Sequence, residues 1–389
     1  MKRALFVSNG HGEAAIADRI AVELNAIAPG LQLDHLALVG DGVSESLHDV
    51  GPARAMPSGG LIAMGNVRNI ARDVRSGLLG LTLAQFRFLR GARGRYDAAA
   101  AIGDTYALLM ASIARAPAVF VGTAKSVNVA PYGALEERLL RRAAACFVRD
   151  DATAERLRTH GISVEPAANV IVDLFATPDD PRAQRAVEGF APAIALFPGS
   201  RAGAYEDAAF LLNVTRDVAR RQPSLGAVLS IARGLDADRF VAAAEGEGWQ
   251  ATLDGDATIP FTLAIDGCER VRAWRGSLGP VLARVALVLG QAGTANEAAA
   301  AAGVPVVAFE SRRGRKAMWY RRRQRGLLGE ALAVFPATLE AAVAGVLALL
   351  NDPARCARMA ATGRARMGPS GGARRIARRI AALAGVGGE

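Results

Sequence analysis

The chain has 389 residues, more than one ordinary hydrophobic core organises, so two domains are expected. Hydrophobic residues make up 51% and charged residues 22%, the balance of a folded protein, which excludes a disordered chain. A formal net charge of +10 points to an anionic partner (nucleic acid, an anionic membrane surface or a phosphorylated substrate), while aromatics at 5% argue against single-stranded nucleic acid, whose binders need stacking platforms.

The chain opens MKRALFVSNGHGE, a strand over residues 4–7 with no secretory apolar region ahead of it. A Gly-rich turn follows, then a helical pattern over residues 13–28 and a second strand over 31–39. AAAAIGD (98–104), APAVFVG (116–122) and ACFVRD (145–150) are short apolar runs bounded by turn signals, each followed by a helix-like stretch. Asp150 and Asp151 stand at a helix start, where capping explains them better than metal binding. Strands alternating with helices imply a parallel sheet covered on both faces.

TPDDPRAQRAVEGFAP (177–192) is rich in Pro and charge and reads as a linker after an N-terminal domain of residues 1–176. The alternation restarts with AIALFPGS (193–200), a helix to about Arg220, GAVLSIA (226–232) and a helix from Asp236. RVALVLG (284–290), an alanine-rich helix and VPVVAFE (304–310) complete a second domain of residues 193–366. The expected fold is α/β: two Rossmann-like, doubly wound parallel-sheet domains with a cleft between them. In the tail, residues 367–389, Ile376, Ile380 and Leu383 fall at helical spacing with arginines opposite. This is a closing basic amphipathic helix, and a return to the N-terminal domain is open to it. No apolar run reaches the roughly 20 residues that span a bilayer, so a soluble or peripheral protein is expected. Three cysteines (Cys146, Cys268, Cys356) and four histidines (His11, His35, His48, His160) are dispersed without metal spacing, so reduced thiols and no metal site are expected.

In open parallel sheets ligands sit outside the carboxyl ends of strands, and three loops at such ends carry unusual residues. SNGHGE (8–13) sets Gly10 and Gly12 between the first strand and helix, where the backbone can approach a ligand and the helix start favours negative charge. A dinucleotide fingerprint wants a third glycine where Ala15 stands and an acid ending the second strand, but Asp34 falls in mid-strand. No cofactor of that kind is expected. His11 and Glu13 in this turn would face a cleft, although Glu13 is equally explained as a first-turn helix carboxylate.

FPGSRAGAYED (197–207) stops a strand at Pro198 and Gly199, offers Ser200 as a helix cap and sets Arg201 at the mouth. Open N–H groups with a guanidinium suit a diphosphate, and the plain alternative is a capped turn with a solvated arginine. In GQAGTANEAAAAAGVPVVAFE (290–310), Gly290 and Gly293 leave backbone N–H groups open where a helix dipole favours phosphate. Glu297, about one turn in, suits a ribose diol, and the plain alternative is a well-packed helix with a first-turn carboxylate. Together the two loops of the second domain point to a nucleoside diphosphate.

A PGSR turn followed about ninety residues later by a G-x-x-G-T-x-x-E-A helix and a G-V-P-x-V strand resembles the lipid-A-disaccharide synthase family of GT-B glycosyltransferases. SNGHGE, RAMPSGG (54–60), GLLGLT (77–82), AIGD (101–104) and FVGTAKS (120–126) are similar to the branch described as related to that synthase. The resemblance implies a hexosyltransferase, inverting and independent of metal, with a UDP-sugar as substrate rather than cofactor and a lipid or lipid-linked acceptor against the N-terminal domain. It places Gly199, Ser200 and Arg201 on the diphosphate, Gln291, Gly293 and Thr294 along the same site, and Glu297 on the ribose. It makes Asp104 the catalytic carboxylate, with Ser58, Lys125 and Ser126 beside Gly10 and Gly12 in acceptor-side loops. ANVIVD (168–173) stands where the family has Gly-Asn-Pro, and the motif around Asp104 also departs, which leaves the acceptor and the sugar open.

Transfer needs a base on the acceptor hydroxyl and positive charge for the departing UDP. Asp104, His11 and Glu13 are the candidates for base, Asp104 by resemblance and His11 by its ordinary pKa. Residues 59–95 mix Leu, Ile, Met and Phe with Arg, as does a helix lying on an anionic bilayer, and ordinary cover helices explain them equally. RRGRKAMWYRRRQR (312–325) is read as a phosphate- or lipid-facing loop or a membrane-contacting surface, with Trp319 and Tyr320 suited to an interface. No nucleic-acid module accompanies it. The location expected is cytoplasmic, peripheral on the inner face of the cytoplasmic membrane. A UDP-sugar 2-epimerase on the same fold and a non-catalytic scaffold binding membrane or a partner remain the alternatives.

Overall fold

The computed structural model describes residues 1–40, 46–54, 75, 77–176, 179–201, 203–310 and 315–386, with His11 and residues 315–318 described in backbone only. Ser58 and residues 59–74 and 76 of the 59–95 stretch lie outside these residues. The chain forms two compact units, Met1–Leu174 with Gly368–Glu389, and Phe175–Met367.

The first unit runs β1 (Arg3–Asn9), α1 (His11–Ile27), β2 (Gln32–Val39), β3 (His48–Asp49), α2 (Leu78–Gly91) and β4 (Ala98–Gly103). It continues α3 (Thr105–Ser112), β5 (Ala118–Gly122), α4 (Ala134–Leu140), β6 (Ala145–Phe147), α5 (Asp151–Thr159) and α6 (Val170–Phe175). Its strands are parallel in the order β3-β2-β1-β4-β5-β6. Ala98 to Ile102 are wholly buried, as a strand covered on both faces requires. Leu5, Val7, Leu36, Leu38 and Phe120 anchor the core on one face.

The second unit runs α7 (Pro181–Val187), β7 (Ala193–Phe197), α8 (Ala204–Ala219), β8 (Gly226–Ser230), α9 (Ala237–Glu245), β9 (Gln250–Leu253), β10 (Phe261–Ile265) and β11 (Cys268–Trp274). Then come α10 (Leu278–Leu282), β12 (Leu287–Gly290), α11 (Thr294–Ala302), β13 (Val306–Phe309), α12 (Arg315–Leu328), β14 (Leu332–Phe335), α13 (Leu339–Leu350) and α14 (Pro353–Met367). The sheet order is β14-β13-β12-β7-β8-β11-β10-β9. Taking only its parallel strands, the connectivity repeats that of the first unit, the 3-2-1-4-5-6 winding of a Rossmann fold.

The structure refines the expected architecture at three points. The second sheet is not wholly parallel, because β10 pairs antiparallel with β9 and β11 at its edge. Of these strands β9 gives no apolar run, since it is largely exposed. The stretch 177–192 is more than a linker: Asp180 caps α7, Pro181 opens it, and Ala183, Ala186 and Val187 are buried. The arginine-rich segment after β13 is a helix, α12, from Arg315 onward.

The last helix, α15 (Gly372–Ala384), lies against α1 in the first unit. Ile376, Ala377, Ile380, Ala381 and Ala384 are buried, while Arg375 reaches the carbonyl of Ala167 at 2.6 Å. Asp173 caps it, one carboxylate oxygen accepting from Gly371 N and the other from Ala373 N at 2.7 Å. The alanine run of α11 also has a packing role. Ala298, Ala299 and Ala300 are buried, and a Cβ on Gly363 of α14 would come within 2.4 Å of the Ala300 carbonyl oxygen. Small residues on both helices therefore set how closely they approach.

Candidate functional site

In a doubly wound sheet the crevice opens where the strand order reverses. In the first unit that point lies between β1 and β4, the strands that end in SNGHGE and AIGD. In the second it lies between β7 and β12, which end in PGSR and GQAGT. Each unit thus brings two sequence-selected loops to adjacent strand ends.

At the first point Gly10 (φ +127°) precedes α1, which His11 opens, and nothing fills the space beside Gly12. Asp104 caps α3 by accepting from Ala107 N at 3.0 Å, and its other oxygen accepts from Asn9 Nδ2 at 3.0 Å. Glu13 accepts from Thr123 Oγ1 at 3.4 Å. Burial pushes both carboxyls above the ordinary range, and each also feels a neighbouring negative charge: Asp104 for Glu13, and Glu136 for Asp104. Glu136 in turn accepts from Thr105 Oγ1 at 3.3 Å and pairs with Lys125 at 2.5 Å. Lys125 is thereby committed to Glu136 and to the face of Tyr132. Ser126 is wholly buried, its Oγ accepting from Asn128 N at 3.1 Å, which gives it a turn-forming role. Asp34 is also structural, buried against Arg3 at 2.7 Å and Tyr96 at 3.0 Å. Among the described residues no group of three or more His, Cys, Asp or Glu is placed to hold a metal ion.

At the second point Gly199 (φ +115°) and exposed Arg201 follow β7. Ser200 does not cap the next helix: α8 begins only at Ala204, behind Gly203, and has no side-chain cap. The amides of Gln291 and Ala292 are not open either, for both donate to the Phe197 carbonyl at 2.9 and 3.1 Å. Open donors begin at α11, where Gly293 supplies no side-chain cap and Thr294 and Ala295 have no acceptor within the helix. Glu297 lies half-buried one turn in.

The residues that the sequence does not mark for this site come from α12, Tyr320 among them, which its sequence context suits to a membrane interface instead. The Tyr320 hydroxyl lies over Gly293, where a Cβ would fall 2.0 Å from it. Burial raises the Tyr320 pKa, with the charge of Glu297 adding to the rise and Arg201 opposing it. Arg321 is buried, donating to Gln324 Oε1 at 2.7 Å and to Gln291 Oε1. Gln324 Nε2 donates to the carbonyls of Ala292 and Gly293 at 3.0 and 3.2 Å, and Asn296 Nδ2 to that of Gly290 at 3.0 Å. The basic run concealed these partners, since only tertiary packing distinguishes a buried arginine from a solvated one.

No family model and no curated protein matches the chain. Solved structures do. A Listeria monocytogenes protein assigned as a UDP-N-acetylglucosamine 2-epimerase superposes with TM-score 0.62 at 15% identity, over 98% of this chain and 96% of that one. MurG from Acinetobacter baumannii gives TM-score 0.58 at 16% identity, over 98% and 99%. The glycotransferase of kitacinnamycin gives 0.51 at 17% identity, over 98% of each chain. At these identities the likeness is one of fold: two Rossmann-like α/β domains of the GT-B class.

Proposed function

We propose that the chain is a hexosyltransferase that takes a sugar from a UDP-sugar and places it on a lipid or lipid-linked acceptor, akin to the lipid-A-disaccharide synthase-related family. The observation that carries this reading is the meeting of the PGSR and GQAGTANE loops at the adjacent ends of β7 and β12. There Gly199, Ser200 and Arg201, the uncapped start of α11 with Gly293 and Thr294, Gln291 and the carboxylate of Glu297 offer a diphosphate its donors and a ribose its acceptor. Arginine and helix amides supply charge to the departing UDP without calling on a metal. On the first unit Asp104 is the base for an inverting displacement, its pKa lifted toward the working range by burial. His11, at the start of α1, is the second candidate, and Glu13 the third.

The same unit supplies the membrane side of the proposal. Leu79, Leu83 and Phe86 are exposed at helical spacing on α2, with Arg87 and Arg90 exposed beside them. Such a face suits an anionic bilayer and a peripheral position on the inner face of the cytoplasmic membrane. No helix among the described residues is long and apolar enough to cross a membrane.

The test is UDP titration of the full chain, with Glu297→Ala and Arg201→Ala each expected to weaken binding about ten-fold or more. Absence of UDP binding by folded wild type sinks the reading. A UDP-sugar 2-epimerase is the second reading, favoured by the convergence of Glu13, Asp104 and Glu136 on one strand-end region. Incubating UDP-N-acetylglucosamine without acceptor separates them, because only the epimerase yields the epimer.

A further inference from the structure

Gln291 has an unusual amount of its hydrogen bonding decided for it. Its Oε1 faces the Arg321 guanidinium on one side and the Phe309 amide, at 3.4 Å, on the other. Both neighbours can only donate, so the oxygen must point at them and the Nε2 group must point away. Arg321 is held by two carboxamide oxygens, those of Gln291 and Gln324, and Gln324 is fixed in turn by the carbonyls of Ala292 and Gly293. Every contact in this chain has one permitted sense, which leaves the Nε2 group of Gln291 outside it as a donor.

Arg321 itself is out of balance. It is 9% exposed, and its Nε has no hydrogen-bond partner. Burial lowers its pKa, with Tyr320 and then Asp207 opposing the fall. A buried guanidinium resting on neutral amides is costly unless an anion completes it. It stands directly behind the uncapped start of α11, where helix amides already favour negative charge.

We infer that Arg321, Gln324 and Gln291 form a fixed donor platform for the diphosphate of the bound nucleotide, Gln291 touching it and Arg321 and Gln324 positioning Gln291. The inference rests on the donor-site reading above and names the part of the ligand that this cluster recognises. The oriented carboxamide selects an acceptor-only partner, which a diphosphate is. Arg321 supplies the countercharge from behind without the mobility of a surface arginine.

The discriminating substitution is Gln291→Glu in the full chain, with UDP affinity and ligand-free thermal unfolding measured together. The new carboxylate pairs with Arg321, so the melting temperature is expected to hold or rise. Its second oxygen replaces a donor with an acceptor, so UDP affinity is expected to fall about ten- to a hundred-fold. Competition by uridine, which has no phosphate, is expected to be unchanged. A purely structural Gln291 predicts the reverse pairing, stability altered and UDP binding kept. Folded Gln291→Glu binding UDP within about two-fold of wild type overturns the inference, as does an equal loss for uridine. Arg321→Met provides a second arm should Gln291→Glu not fold: UDP affinity and its salt dependence are both expected to drop, and unchanged affinity overturns the positioning role. Wild type that fails to bind UDP overturns the donor-site reading itself, a result distinct from either variant's.

Discussion

The side-chain amide of Asn9, at the end of β1, donates to the carboxylate of Asp104, at the end of β4, across 3.0 Å. The bond ties together the two loops at the first unit's switch point and favours the charged form of Asp104 against the burial that raises its pKa. Removing it in Asn9→Ala raises that pKa further. The acid limb of the rate profile for UDP release then moves to higher pH, with a rate loss of about ten-fold below the limb. An acid limb that stays put removes Asp104 from the role of base.

Glu13 makes the opposite contribution to stability from a salt-bridged carboxylate. Its folded-state pKa lies above the ordinary 4.5, chiefly through burial, so the folded chain binds this proton more tightly than the unfolded chain. Stability therefore declines as pH climbs from the unfolded value through the folded one. Glu13→Gln abolishes the decline. Thermal unfolding is expected to show the variant more stable than wild type at about pH 7 and without that advantage near pH 4. A variant less stable at both values counts against burial as the dominant cause.

Gly293 and Tyr320 form a steric pair that a double-mutant cycle exposes. Gly293→Ala sets a methyl 2.0 Å from the Tyr320 hydroxyl, so the Tyr320 side chain must shift to relieve it. The expected cost is about 1–3 kcal/mol. Adding Tyr320→Phe deletes the obstructing oxygen and recovers most of it, since the next ring atom stands at 3.3 Å. Additive losses in the cycle contradict the contact.

Exposed Leu79, Leu83 and Phe86 on α2 have a direct readout in vesicle binding. Replacing all three with serine is expected to weaken binding to anionic phospholipid vesicles by at least about ten-fold and to leave UDP affinity unchanged. Equal binding by the triple variant places the bilayer contact elsewhere.

Residues whose partners are close in sequence were the legible ones. The strand-to-helix turns after β1, β4, β7 and β12 announced themselves by an apolar run, a glycine and a helix former. Asp150 has the position of a helix cap in the sequence and accepts from Thr153 N at 2.8 Å. The edge strand β9 was not legible, because a largely exposed strand has no continuous apolar signature to mark its pairing with β10. Arg321 and Gln324 were hidden for the converse reason. In RRGRKAMWYRRRQR the buried arginine is indistinguishable from its solvated neighbours until the Gly290–Glu297 loop is folded against it. Ser200 shows the limit of a cap signal: the serine was present, but the loop continued three residues beyond it.

Asp173 and α15 impose an order on biosynthesis. The first unit is interrupted in sequence: its final helix is translated only after the whole second unit has emerged. Until then the face of α1 that α15 covers stays bare, and the buried carboxylate of Asp173 waits for amides at the far end of the message. A premature stop near residue 367 would release a polypeptide with an intact second unit and an unsealed first one. The first unit is thus closed by a helix that follows the second in sequence, so its α1 face is covered only after both have been made.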